Sequence, residues 1–163
     1  MVDVQTISIA IASAGVLLAA IYYILQLKHQ NRTRQMSLLM NLYSTWGSDD
    51  MRKAVQGSAA LEDEYKDYDT FVKTYGFTSQ AWVDINKILW FWNGIGFLVH
   101  KGFVNMKLVL GLFYAQGAIR TWEKWRPFVE GQRKALGLPE SYAQFEYLYN
   151  EVKKREQAGA IHG

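Results

Sequence analysis

The sequence predicts an all-α protein: a single N-terminal transmembrane helix that continues into a compact helical bundle. Three observations lead there. The run Ile7 to Leu27 carries no formal charge. The only two prolines are Pro127 and Pro139, so long stretches pass without a breaker. Beyond the apolar run, large side chains recur at three- and four-residue steps, the spacing of one helix face. Half of the 163 residues are apolar, with six Trp, ten Tyr and eight Phe, enough to fill a core. Cysteine is absent, which excludes disulfides and thiolate metal sites. The net charge of +3 is too small to argue for nucleic acid by itself, and its placement matters more.

The first element is the run Ile7 to Leu27, interrupted only by Ser8, Ser13, Gly15 and Gln26. As a helix it reaches roughly 30 Å, the thickness of a bilayer core. Tyr22 and Tyr23 stand toward its C-terminal end, where amphipathic rings favour the interface. Lys28, His29, Arg32 and Arg34 follow at once, while Asp3 is the only charged side chain before the run. The positive-inside rule then places Met1 outside and everything after Lys28 in the cytoplasm, with Lys28, Arg32 and Arg34 flanking the membrane. A cleaved signal peptide has its basic residues before a shorter apolar stretch, the reverse of this order. A surface helix of a soluble fold would show a polar face, and this one has none. Gly15 and Ala19, Ala10 and Ala14, and Ser8 and Ala12 are small pairs four apart, a spacing that permits close helix approach and a homo-oligomer through the transmembrane helix. Ordinary composition gives the same pattern.

The expected domains are a transmembrane anchor over 1–27, a cytoplasmic helical domain over 28–157 and a disordered tail over 158–163. The first helix is expected to run on to Trp46, burying Met36, Leu39, Met40, Tyr43 and Trp46, and to end at Gly47. Ser48 or Asp49 caps the next short helix, through about Gln56. The acidic stretch Glu62 to Asp69 lacks the ligand spacing of a Ca²⁺ loop. It reads as a solvated helix face, with Tyr65, Tyr68, Phe71, Val72 and Tyr75 turned inward. From Ser79 to about Val99, Trp82, Ile85, Leu89, Trp92 and Ile95 or Gly96 form one stripe. Ile88, Trp90, Phe91, Phe97 and Leu98 nearly complete the circumference, which predicts the central helix of a bundle. Asn105 caps a helix from Met106 through Phe113. Gly117 to Leu136 forms another around Ile119, Trp122, Trp125 or Arg126, and Val129. Pro127 predicts a kink there, or two abutting helices. Pro139 suits the first turn of a last helix that buries Tyr142, Phe145, Leu148, Tyr149 and Val152.

The stretches Phe91-Trp92-Asn93-Gly94-Ile95-Gly96-Phe97-Leu98-Val99, Ile119-Arg120-Thr121-Trp122-Glu123-Lys124-Trp125-Arg126-Pro127 and Phe145-Glu146-Tyr147-Leu148-Tyr149-Asn150-Glu151 resemble a family of small prokaryotic proteins described only as a domain of unknown function. The resemblance spans Gln26 to Lys154. It implies an N-terminal membrane helix followed by a helical domain, and carries no catalytic residues to transfer.

The chain offers little chemistry to read. His29, His100 and His162 lack the spacing of zinc ligands. No Ser sits in a Gly-x-Ser-x-Gly turn, and Asn93-Gly94-Ile95-Gly96 lacks the third glycine and the preceding strand of a phosphate loop. No catalytic residue, metal ligand or cofactor is therefore assigned. The candidate interaction surface is Arg120, Lys124, Arg126, Arg133 and Lys134, interleaved with Trp122 and Trp125. Such a helix could neutralise and stack a nucleic-acid strand. Glu123 and Glu130 dilute its charge, so a solvated face over core tryptophans accounts for it better, and nucleic acid is not the first choice. The expected function is that of a membrane-anchored, non-catalytic interaction module. It would serve as an accessory subunit among other membrane-protein subunits. The alternatives are a binder of nucleic acid or anionic lipid through residues 120–134, and an enzyme with an unrecognised site.

Overall fold

The computed structural model describes residues 3–61 and 67–159, and among them every regular element is helical. Seven helices follow in order: α1 Val4–Trp46, α2 Asp49–Ala59, α3 Tyr68–Tyr75, α4 Gln80–His100, α5 Met106–Leu112, α6 Ala115–Leu136 and α7 Ala143–Gln157. The chain divides by its packing into two units, Met1–Leu38 and Leu39–Gly163. The acidic stretch around Tyr65 and the last four residues of the expected tail lie outside the described residues.

The first unit is the greater part of α1. Its most apolar 18-residue window carries no buried residue, and the helix is long and apolar enough to cross a membrane. Ser8 and Ser13 donate their hydroxyls to the carbonyls four residues back, so both donors are satisfied within the helix itself.

In the second unit the helix starts follow the expected capping chemistry. Ser48 accepts from the Met51 amide, Ser79 from Trp82, and Asn105 from Lys107, each satisfying an amide the helix itself leaves unpaired. Asp67 does the same for Thr70, and those hydrogen bonds hold its carboxyl below the usual carboxylate range. Helix α4 is the centre, packed mainly against α7 and α2, while α6 lies against α7 and α3. Its inner face buries Ile85, Ile88, Leu89, Phe91, Trp92 and Ile95. Rings fill the centre: Trp46 stacks on Phe91 at 4.8 Å, Trp92 lies parallel to Phe145 at 6.0 Å, and Trp122 meets Phe145 edge-on at 5.1 Å. Three glycines set the closest approaches. A Cβ on Gly96 would fall on the Gln144 carbonyl, 2.5 Å from its carbon, and one on Gly131 would lie 2.5 Å from Tyr68 Cβ. Gly57 makes the same allowance for the Asp84 carboxylate. Close helix crossing therefore explains Gly96.

Several expectations need correction. In the Leu39–Trp46 part of α1, Leu39 is buried and Leu42 and Trp46 are half-buried, whereas Met40 and Tyr43, like Met36 further back, are exposed. Hydrophobicity alone could not choose between two apolar faces about 100° apart. Helix α4 is not covered all round: Trp90 is 69% exposed, and Val83 and Phe97 are each 43% exposed. They recur every seven residues along the side its neighbours leave open. Helix α6 runs through Pro127 as one helix, so two abutting helices do not form. Pro139 lies in a turn, and α7 begins four residues later, after Tyr142 takes a left-handed conformation at φ 57°. A non-glycine residue there costs about 1–2 kcal/mol.

Candidate functional site

That strained tyrosine stands in a cleft of about 550 Å³ between α4, α6 and the 137–142 turn. Trp82, Asn86, Trp90 and Asn93 come from one face of α4, at steps of four, four and three. Gln132 and Leu136, four apart, come from α6, and the turn adds Leu138, Ser141 and Tyr142. None of these side chains is charged. The walls are two indoles and two leucines, and the polar groups are amides and hydroxyls.

Folding uses some of those polar groups and leaves others. The Asn86 amide donates to the Trp82 carbonyl at 2.8 Å, and its Oδ1 accepts the Tyr142 hydroxyl. Burial pushes the Tyr142 hydroxyl up to about 12, with hydrogen bonding from Trp90 acting in the other direction. Tyr142 is therefore a neutral hydroxyl at physiological pH. Asn93 Oδ1 accepts the Phe145 amide at 3.1 Å, holding the first turn of α7 against α4. Gln132 is 7% exposed, and its Oε1 has no hydrogen-bond partner among the described residues. A buried acceptor left unpaired is destabilising by about 1–3 kcal/mol, so its retention calls for an explanation. Arg133 borders the cleft without charging it: its Nε donates to the Ser141 carbonyl at 2.8 Å and its Nη2 pairs with Glu146 at 2.8 Å.

The basic residues singled out from the sequence do not share one surface. Arg120 and Lys124 line a second depression of about 440 Å³ with Trp46, Val55 and Trp125. There Lys124 donates to the Ser58 carbonyl at 2.7 Å and sits 5.0 Å from the Trp125 ring centre. Arg126 is exposed and pairs with Glu130 at 2.7 Å. Arg133 ties α6 to the next turn and to α7, and Lys134 is exposed. Trp122 and Trp125 are each 2% exposed, which makes them core residues. Lys28, Arg32 and Arg34 are exposed along α1. Among the described residues no group of three or more His, Cys, Asp or Glu is placed to hold a metal ion.

The cleft was missed in the sequence because its walls come from segments about 40 residues apart. A faint signal existed: Asn86 and Asn93 alternate with Trp82 and Trp90 at helical spacing, and amides on a tryptophan face mark a wall that meets more than core. No curated protein and no solved structure matches the chain. One family model does, over residues 9–152, and the chain accordingly belongs to that family, described as a domain of unknown function (DUF4760).

Proposed function

We propose that the chain is a membrane-anchored, non-catalytic interaction module, an accessory subunit of a membrane complex. The observation that carries this reading is α1, whose apolar window has no buried residue. A helix apolar on every side needs lipid or protein around it. The collar of Lys28, Arg32 and Arg34 after the apolar run supports a single pass through the cell membrane, N-terminus outside and the Leu39–Gly163 unit in the cytoplasm. Partner binding is supported by the open side of α4, where Val83, Trp90 and Phe97 lie exposed in register. The cleft beside it supports recognition over catalysis, since its lining offers no acid, base or activated nucleophile.

Alkaline carbonate extraction of membranes from cells making the chain tests the anchor. The chain should stay in the pellet, and release to the supernatant would refute a spanning helix. Purification in mild detergent then tests the partner surface. A membrane subunit that copurifies with the parent should be lost from Val83→Asp and Phe97→Asp, and its retention by both variants would refute that surface.

A further inference from the structure

The turn between α4 and α5 carries a feature that the partner surface does not absorb. The amides of Phe103 and Val104 both donate to the Leu98 carbonyl, at 2.9 and 3.2 Å. Val104 is buried, which fixes the turn to the core, yet Phe103 beside it stays exposed. The Phe103 ring lies 6.3 Å from that of Phe97, which is exposed as well. Lys101 in the turn and Lys107 in the first turn of α5 are also exposed. Neither lysine takes part in an ion pair among the described residues. We infer that this turn docks on the surface of an anionic lipid bilayer, its two rings at the headgroup boundary and its two ammoniums on lipid phosphates.

Charge decides for lipid. No Asp or Glu occurs over residues 85–122. The acids of α7, which packs on α4, are already paired: Glu146 with Arg133, Glu151 with Lys154 and Arg155, and Glu156 with Lys153. Cations therefore dominate the turn, and each lysine near an anionic surface strengthens partitioning about fivefold. Lysine is depleted at protein interfaces, whereas beside lipid its stem covers apolar surface and its ammonium reaches the headgroups. The inference rests on the anchored reading, because a tether gives an effective concentration of about millimolar and lets a weak surface suffice. Tyr43, close to where α1 enters this unit at Leu39, meets Phe113 at 6.3 Å, so the end of α5 lies beside that entry.

The full chain in nanodiscs of phosphatidylcholine, alone or mixed with anionic phosphatidylglycerol, tests the docking. Phe103→Cys, Phe77→Cys and Leu18→Cys each place the only thiol in the chain, to carry an apolar fluorophore that nitroxide-labelled lipid quenches. Phe77 is exposed just before the other end of α4. In anionic discs the probe at 103 should be quenched at least about threefold more than the probe at 77. Lys101→Gln with Lys107→Gln, both at exposed positions, should weaken docking about 25-fold and return quenching at 103 to its level in phosphatidylcholine. High salt should do the same. Equal quenching at 103 and 77, or quenching at 103 unmoved by anionic lipid and by the double variant, would overturn the inference. A probe at 103 that lipid never quenches but a copurifying protein shields would assign the turn to a protein partner instead. The probe at 18 reads the anchor separately and should be quenched in discs of either composition. Failure there refutes the spanning helix and the docking with it, whereas failure at 103 alone refutes only the docking.

Discussion

Gly94 and Gly96 stand two residues apart in α4, and substitution by Ala should move stability in opposite directions. A Cβ on Gly94 meets nothing within 4 Å, so Gly94→Ala should bring only the helix-propensity gain of about 1 kcal/mol. A Cβ on Gly96 would lie 2.5 Å from the Gln144 carbonyl carbon and 3.2 Å from the Phe145 amide nitrogen. Carbon atoms rest at about 3.5–4.0 Å, so α4 and α7 must part by at least about 1 Å. The obstacle is backbone and cannot rotate away. Overpacking of this kind costs about 3 kcal/mol at the upper end. Loss of the Asn93–Phe145 bond at the same crossing adds about 1 kcal/mol. Set against the propensity gain of about 1 kcal/mol, Gly96→Ala should lose about 3 kcal/mol net. At about 2–4 °C per kcal/mol, its Tm should fall by about 6–12 °C, while that of Gly94→Ala rises by about 2–4 °C. Thermal unfolding followed by circular dichroism at 222 nm reads both. If Gly96→Ala melts with Gly94→Ala, the two backbones do not cross at this glycine.

Three further expectations follow from the packing. Trp122→Ala removes a ring that is 2% exposed and should cost about 3–5 kcal/mol in chemical denaturation, whereas Arg120→Ala, at an exposed position, should stay within about 0.5 kcal/mol. Lys124→Ala should fall between them, because it leaves the Ser58 carbonyl without its donor; a value equal to that of Arg120→Ala would refute the bond. The Tyr142 hydroxyl, held up at about 12 against an ordinary 10, favours the folded state below pH 10. That contribution, about 2–3 kcal/mol, should vanish as pH rises from 10 to 12, since the unfolded chain then binds fewer protons. The fall should be shallower in Tyr142→Phe, and parallel curves for the two proteins would refute the shift. Finally, a chain starting at Leu39 should unfold cooperatively, while one starting at Gly47 should be markedly weaker for want of the Trp46 contacts with Phe91 and Trp92. Equal midpoints would show that Trp46 adds nothing to the core.

Much of the fold was legible because its signals are local. Ser48, Ser79 and Asn105 precede apolar periodic stretches, and each caps the helix expected of it. The stripe from Ile85 to Ile95 is buried as its spacing requires. What remained hidden depends on neighbours far along the chain. Trp90 and Phe97 are as apolar as Trp92, and only the placement of α2 and α7 decides that they stay uncovered. Asp84 sits 7% exposed within the apolar face of α4, accepting from Gln80 and fitted against Gly57, a pairing no periodicity could indicate. The late start of α7 follows from the left-handed Tyr142, whose bond to Asn86 spans 56 residues. The candidate cleft was hidden for the same reason, since its walls come together only once α4, α6 and the 137–142 turn are packed side by side.

The anchor and its direction are the centre of the account, and the absence of cysteine makes them directly measurable. Single cysteines placed by Val4→Cys and Lys134→Cys are each the only thiol in the chain, and both positions are exposed. A membrane-impermeant maleimide applied to intact cells should label Val4→Cys and leave Lys134→Cys untouched until lysis. Labelling of Lys134→Cys on intact cells, with Val4→Cys protected, would contradict the topology.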